Sequence, residues 1–238
     1  MCKLCWRSFL VGGLLAVLSV PASALALYDN GAPDAVNGIF SESDYPLVGY
    51  DDFTLTSAAT IKGVEWWGSY FSANDASSPD AFTYDIQMNN GSDTHPAGEI
   101  QSGSLTGLLR TDTFTTIADG QEIYKYDAVP SPLITLGAGS YFLSIVETTA
   151  LYTASSGTNA FLWDSASQFS TEDDGTGGVF SYNAGLDSWL NYGGLDLAFN
   201  LTGDTVTTAP VPEPATLTLL GLGLAGLIGR RIHRRNGR

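Results

Sequence analysis

The residues able to do chemistry are few, and most are acids. Between Leu27 and Ala209 the chain has one imidazole, His95, no cysteine, and 24 Asp or Glu side chains. A serine or cysteine nucleophile needs a positioned base. His95 lies in Ser92-Asp93-Thr94-His95-Pro96 with no nucleophile motif beside it. Neither Gly-x-Ser-x-Gly nor His-Glu-x-x-His occurs, and one histidine without cysteine is too poor a ligand set for zinc. Carboxylate pairs remain, since glycoside hydrolysis needs only two acids. Glu65 and Glu147 stand out because both fall inside expected strands. With this many acids, however, pairs arise by chance, and the expectation is that the chain is not an enzyme.

Binding chemistry has a firmer basis. Trp66 and Trp67 are adjacent on an expected strand, so their rings point to opposite faces of the sheet. If only one face is core, the other indole is exposed and offers a flat platform for sugar rings. Trp163 and Trp189 are further candidates, and the carbohydrate-binding set is taken as Trp66, Trp67 and Trp189. Calcium is the one ion with a candidate ligand set. Asp29, Asn30, Asp34 and Asn37 cluster in one segment and Glu172, Asp173 and Asp174 in another. Calcium takes six to eight oxygen ligands, and neither segment follows the EF-hand pattern. Asp-Asn-Gly clusters also form simple turns. No cofactor is required, and calcium at Asp29, Asn30 and Asp34 is the only one suggested.

Charge narrows the partners. The 24 acids between Leu27 and Ala209 face three cations, Lys62, Arg110 and Lys125, a net of −21. Such a body repels phosphate backbones, so nucleic acid is excluded as a partner.

The elements that must position these residues read as strands and turns. Asn89-Asn90-Gly91-Ser92 and Asp173-Asp174-Gly175 mark turns, with β-branched and aromatic residues between. The pattern predicts an all-β fold, an antiparallel β-sandwich of jelly-roll type. Strands are expected near Phe53–Thr56, Thr60–Tyr70, Phe82–Met88, Leu105–Leu109, Glu122–Ala128, Leu133–Leu136, Gly139–Glu147, Ala160–Trp163 and Leu195–Leu201. The clearest is Gly139-Ser140-Tyr141-Phe142-Leu143-Ser144-Ile145, with Tyr141, Leu143 and Ile145 on one face.

The two ends differ from this body. Lys3 and Arg7 precede an apolar run from Phe9 to Val20, then Pro21 and small residues. This is the layout of a secretory signal peptide over residues 1–26, too short in its apolar part to span a bilayer. Ala24-Leu25-Ala26 fits the small-x-small cleavage pattern with the cut after Ala26, and Ala22-Ser23-Ala24 is the rival. Residues 27–204 form the ectodomain and 205–211 a linker. Ala215 to Gly229 is uncharged and is followed by Arg230, Arg231, Arg234 and Arg235. As a helix those residues reach about 22 Å, against a hydrocarbon core of about 30 Å. A short transmembrane helix over 215–229 is expected, its arginines kept in the cytoplasm and the acidic body outside.

Pro212-Glu213-Pro214, a short apolar span and an arginine cluster, in that order, resemble the PEP-CTERM sorting signal. The resemblance covers residues 212–238. It implies recognition by exosortase, a membrane enzyme akin to cysteine transpeptidases, with processing near the tripeptide and transient residence in the inner membrane. It also implies an exopolysaccharide-producing, biofilm- or floc-forming Gram-negative host. The prolines themselves forbid regular helix or central strand and favour an extended backbone that a protease can grip. The body is loosely similar to other ectodomains carrying this signal, through YDNG, DDFTLTSAATIKGVEWWGSY, AGSYFLSI and DLAFNLTG. The expectation is an exported cell-surface or matrix protein that binds or organises exopolysaccharide. A secreted glycan-active enzyme and a structural matrix protein without a ligand are the alternatives.

Overall fold

The computed structural model describes residues 24–43, 45, 47–71, 80–89, 95–149, 160–166, 179–192 and 195–206. Within them the chain forms thirteen strands and no helix. In order these are β1 (Leu25–Asp29), β2 (Pro33–Phe40), β3 (Leu47–Leu55), β4 (Ala59–Tyr70), β5 (Phe82–Met88), β6 (Glu99–Thr116) and β7 (Glu122–Ser131). They continue as β8 (Ile134–Leu136), β9 (Gly139–Glu147), β10 (Phe161–Ala166), β11 (Phe180–Asn183), β12 (Ser188–Asn191) and β13 (Phe199–Thr205). The expected transmembrane span 215–229 and residues 1–23 of the expected signal peptide lie outside the described residues.

The strands pair antiparallel along one path, β1-β13-β4-β7-β6-β5-β9-β3-β11-β12. β10 joins β2 to the end of β4, and β8 pairs with its beginning. The all-β, antiparallel expectation holds, but the two-layer jelly roll gives way to a single connected, curled sheet. β6 is the reason. Its first residues pair with β5, Phe82 opposite Leu105, and its later ones with β7, Arg110 opposite Tyr126. The register shifts between Thr106 and Leu109, where Gly107 has φ +65°. A bulge at such a glycine bends a strand and sharpens its twist. One long strand thereby carries the hydrogen bonding from one half of the sheet to the other, which alternation of residue types does not reveal.

The curl encloses an aromatic core. Trp66 stacks on Tyr126 at 5.2 Å and meets the edge of Phe82 at 5.0 Å. Phe161 packs against Tyr70, Phe82 and Tyr126. Such pairs add roughly 0.5–1.5 kcal/mol each beyond area burial. A second cluster covers the opposite face of β4 near its end, where Trp67 packs with Ile117, Ile123, Leu162 and Ala198.

Candidate binding groove

Alternation along β4 turns Val64 and Trp66 into the core and leaves Gly63 and Glu65 facing outward. The register carries this outward position across the neighbouring strands. Asp29 of β1 lies opposite Asn200 of β13, Asn200 opposite Glu65, Glu65 opposite Asp127 of β7, and Asp127 opposite Leu109 of β6. Four polar side chains and a leucine thus form one row across five strands. The row runs through a groove of about 390 Å³ that Thr202, Gly63 and Val129 also line. Leu109 is 60% exposed and Val129 45% exposed, giving the groove apolar walls. Its floor stays low because Gly63 has no side chain: a Cβ there would lie 2.5 Å from the Thr202 hydroxyl oxygen.

The row is wired together. Lys125 Nζ reaches Glu65 Oε2 at 2.5 Å and Asp127 Oδ2 at 3.5 Å. Asn200 Nδ2 donates to Glu65 Oε1 at 2.8 Å, while its carbonyl oxygen is buried with no partner among the described residues. Burial would raise the Glu65 carboxyl, but hydrogen bonds from Lys125 and Asn200 outweigh it and hold it below the usual carboxylate range. Asp127 is pushed the other way by burial and by the neighbouring Glu65 carboxylate, against the pull of Lys125. Lys125 is raised in turn, first by its bond to Glu65. The pair therefore titrates as a unit, with one carboxylate fixed by an ammonium and its neighbour more ready to hold a proton. Three carboxylates and one ammonium leave the groove with a formal charge of −2 at neutral pH.

The residues singled out in the sequence are scattered. Trp66 is fully buried and shows no ring face to solvent, and Trp67 is 8% exposed beneath its own cluster. The inference of one exposed indole fails here because β4 is covered on both faces at this end. Trp163 is also buried, its indole N–H donating to the Ala198 carbonyl at 3.1 Å. Trp189, on the β11–β12 hairpin, is half-buried against Tyr50 and Tyr182, with the His95 ring lying parallel to it at 5.4 Å. Glu147 is buried on β9 and bound to Thr149, so it does not share a site with Glu65.

The calcium candidates do not converge either. Asp29 accepts from the Gly31 amide at 2.9 Å and Asp34 from the Val36 amide and the Ser165 hydroxyl. Asn30 turns inward to Asp51 and the Leu197 carbonyl, each at 2.9 Å. Of these, Asp29 alone lines the groove. Ala24 precedes β1 and Ala26 sits within it, opposite Thr202. Pro212, Glu213, Pro214 and the arginines Arg230, Arg231, Arg234 and Arg235 lie outside the described residues.

Asp127, Asn200 and Thr202 escaped the sequence reading. Asn200-Leu201-Thr202 reads only as a chance glycosylation triplet, and Asp127 as one acid among many. The available signal was Lys125, one of only three cations in the body, since a lone ammonium on an acidic surface gathers carboxylates.

Comparison with known proteins places one segment. Residues 210–235 match the PEP-CTERM protein-sorting motif. No curated protein sequence matches the chain. The chain thus carries a PEP-CTERM protein-sorting motif over residues 210–235, the mark of exosortase-dependent export to the cell surface.

Proposed function

We propose that this is a non-catalytic surface or matrix protein of an exopolysaccharide-producing bacterium, whose β body binds polysaccharide in the groove. In this reading the apolar span 215–229 seats the chain briefly in the inner membrane, with Arg230, Arg231, Arg234 and Arg235 held in the cytoplasm. Exosortase then processes it near Pro212-Glu213-Pro214 and releases the body outward. The sorting motif is the observation that carries the export half. The register-matched row of Asp29, Asn200, Glu65 and Asp127 supports the binding half.

Removing residues 210–238 tests the export half. The wild-type chain is expected at the cell surface or in the matrix in shortened form, and the truncated chain is expected to lose that destination. An unchanged route and size for the truncated chain contradicts the proposal.

A further inference from the structure

We propose that the groove selects an amino-sugar polysaccharide, holding the ammonium groups of de-N-acetylated hexosamine rings with the carboxylates of its row. This rests on the polysaccharide-binding reading above and names its ligand class.

The spacing comes first. Asp29, Asn200, Glu65 and Asp127 stand on four neighbouring strands in matched register. Neighbouring strands lie about 4.8 Å apart, close to the length of one pyranose ring. A saccharide laid across the strands therefore meets a new polar side chain at each ring. Leu109 and Val129 flank that path and take the C–H faces of the rings.

Charge then chooses among saccharides. The groove's three carboxylates outnumber its one ammonium, within a body of net −21. Uronic-acid polymers are repelled and cationic ones drawn in. The chemistry is already displayed within the site, where Lys125 Nζ lies between Glu65 and Asp127 as a ligand ammonium would. Lys125 neutralises only part of the row, and among the described residues Asp29 at its far end accepts from a backbone amide of its own turn alone.

The experiment uses the full-length chain in neutral detergent, titrated calorimetrically with tetramers of glucosamine, N-acetylglucosamine and a uronic acid at mildly acidic pH. The glucosamine tetramer is expected to bind about tenfold tighter than its N-acetylated form, and the uronic acid not to bind. The double variant Glu65→Gln/Asp127→Asn should weaken glucosamine binding by about tenfold or more. Glu99→Gln/Asp119→Asn removes two charges outside the groove and should change affinity by less than about twofold. Unfolding curves establish that each variant is folded. Equal losses in both double variants would mean diffuse attraction and overturn the proposal. Equal binding of the two hexosamine tetramers, abolished by the groove variant, would overturn the ligand class but leave polysaccharide binding standing. Binding of none of the three would remove both.

Discussion

β4 has two faces, and from Gly63 to Trp67 its residues alternate between them. Val64, Trp66 and Tyr70 enter an aromatic core closed to solvent. Gly63 and Glu65 open onto a groove where an acid row, an amide and one ammonium meet solvent. The same backbone hydrogen bonds hold both faces, so geometry fixed by the core is transmitted to the groove without loops. Further along, Trp67 shows that an outward position is not thereby a free one, because a second apolar cluster buries it. On this strand the groove is lined by the short stretch from Gly63 to Glu65.

The sharpest way to break the contrast is to exchange its two neighbours. Trp66→Ala should cost about 3–5 kcal/mol of stability, the usual loss for a buried tryptophan. Glu65→Gln should cost less than about 1 kcal/mol, because its ion pair is partly exposed and screened. Denaturant unfolding of both variants compares them, and similar losses would dissolve the distinction between a holding face and a binding face.

Acidity separates the interior from the groove next. Burial pushes Asp164 up from 3.8 to about 8 and raises Asp51 well above its ordinary value, with neighbouring Asp52 adding to the latter. A carboxyl raised in the folded state binds its proton more tightly there than in the unfolded chain. Its contribution is therefore fully present below pH 4 and is lost as pH rises through the folded value. Stability should fall between about pH 4 and pH 8, by up to about 1.4 kcal/mol per pH unit for one such group. Asp164→Asn should reduce that slope, leaving the part due to Asp51, whereas Glu65→Gln should not reduce it.

The groove has a smaller, local titration. Lys125→Met removes the ammonium that holds Glu65 low, so the carboxyls of Glu65 and Asp127 should both titrate higher by carbon-detected NMR. Stability should change by only about 1 kcal/mol or less. An unmoved Glu65 titration would mean the row is not coupled.

The smallest effect concerns the strand at the end of the row. A cut after Ala24 keeps β1 whole, whereas a cut after Ala26 removes Leu25 and Ala26, which pair with Gly203 and Thr202. The sequence pattern puts the cut after Ala26, whereas the pairing of β1 favours the rival cut after Ala24; the exported protein is therefore expected to begin at Leu25 rather than Leu27, and N-terminal sequencing reads this directly.

Much of the strand content was legible, and for a physical reason. Phe82–Met88 and Gly139–Glu147 match β5 and β9 residue for residue, because alternating burial writes itself into residue type. β4 was equally clear. β2 was missed because Pro33, Asp34, Asn37 and Gly38 speak for turns. β1 straddles the end of the expected export signal, and the β11–β12 hairpin is too short to show a period. β6 was read as five residues where the strand runs for eighteen, since its Ser, Thr and Gly residues carry little hydrophobic signal. The groove was the least legible part. Glu65 attracted notice, but its partners lie 60 or more positions away in sequence and meet it only through strand register. The tryptophans misled because adjacency on a strand says which way a ring points, not what covers it.

Backbone-amide NMR of the chain titrated with glucosamine tetramer tests the assignment of recognition to the outer row most directly. Shifts concentrated at Asp29, Gly63, Glu65, Asp127 and Asn200, with the Trp66 and Trp189 indole signals unmoved, are the expected result. Shifts centred on Trp189 and His95, or none at all at saturating ligand, would contradict it.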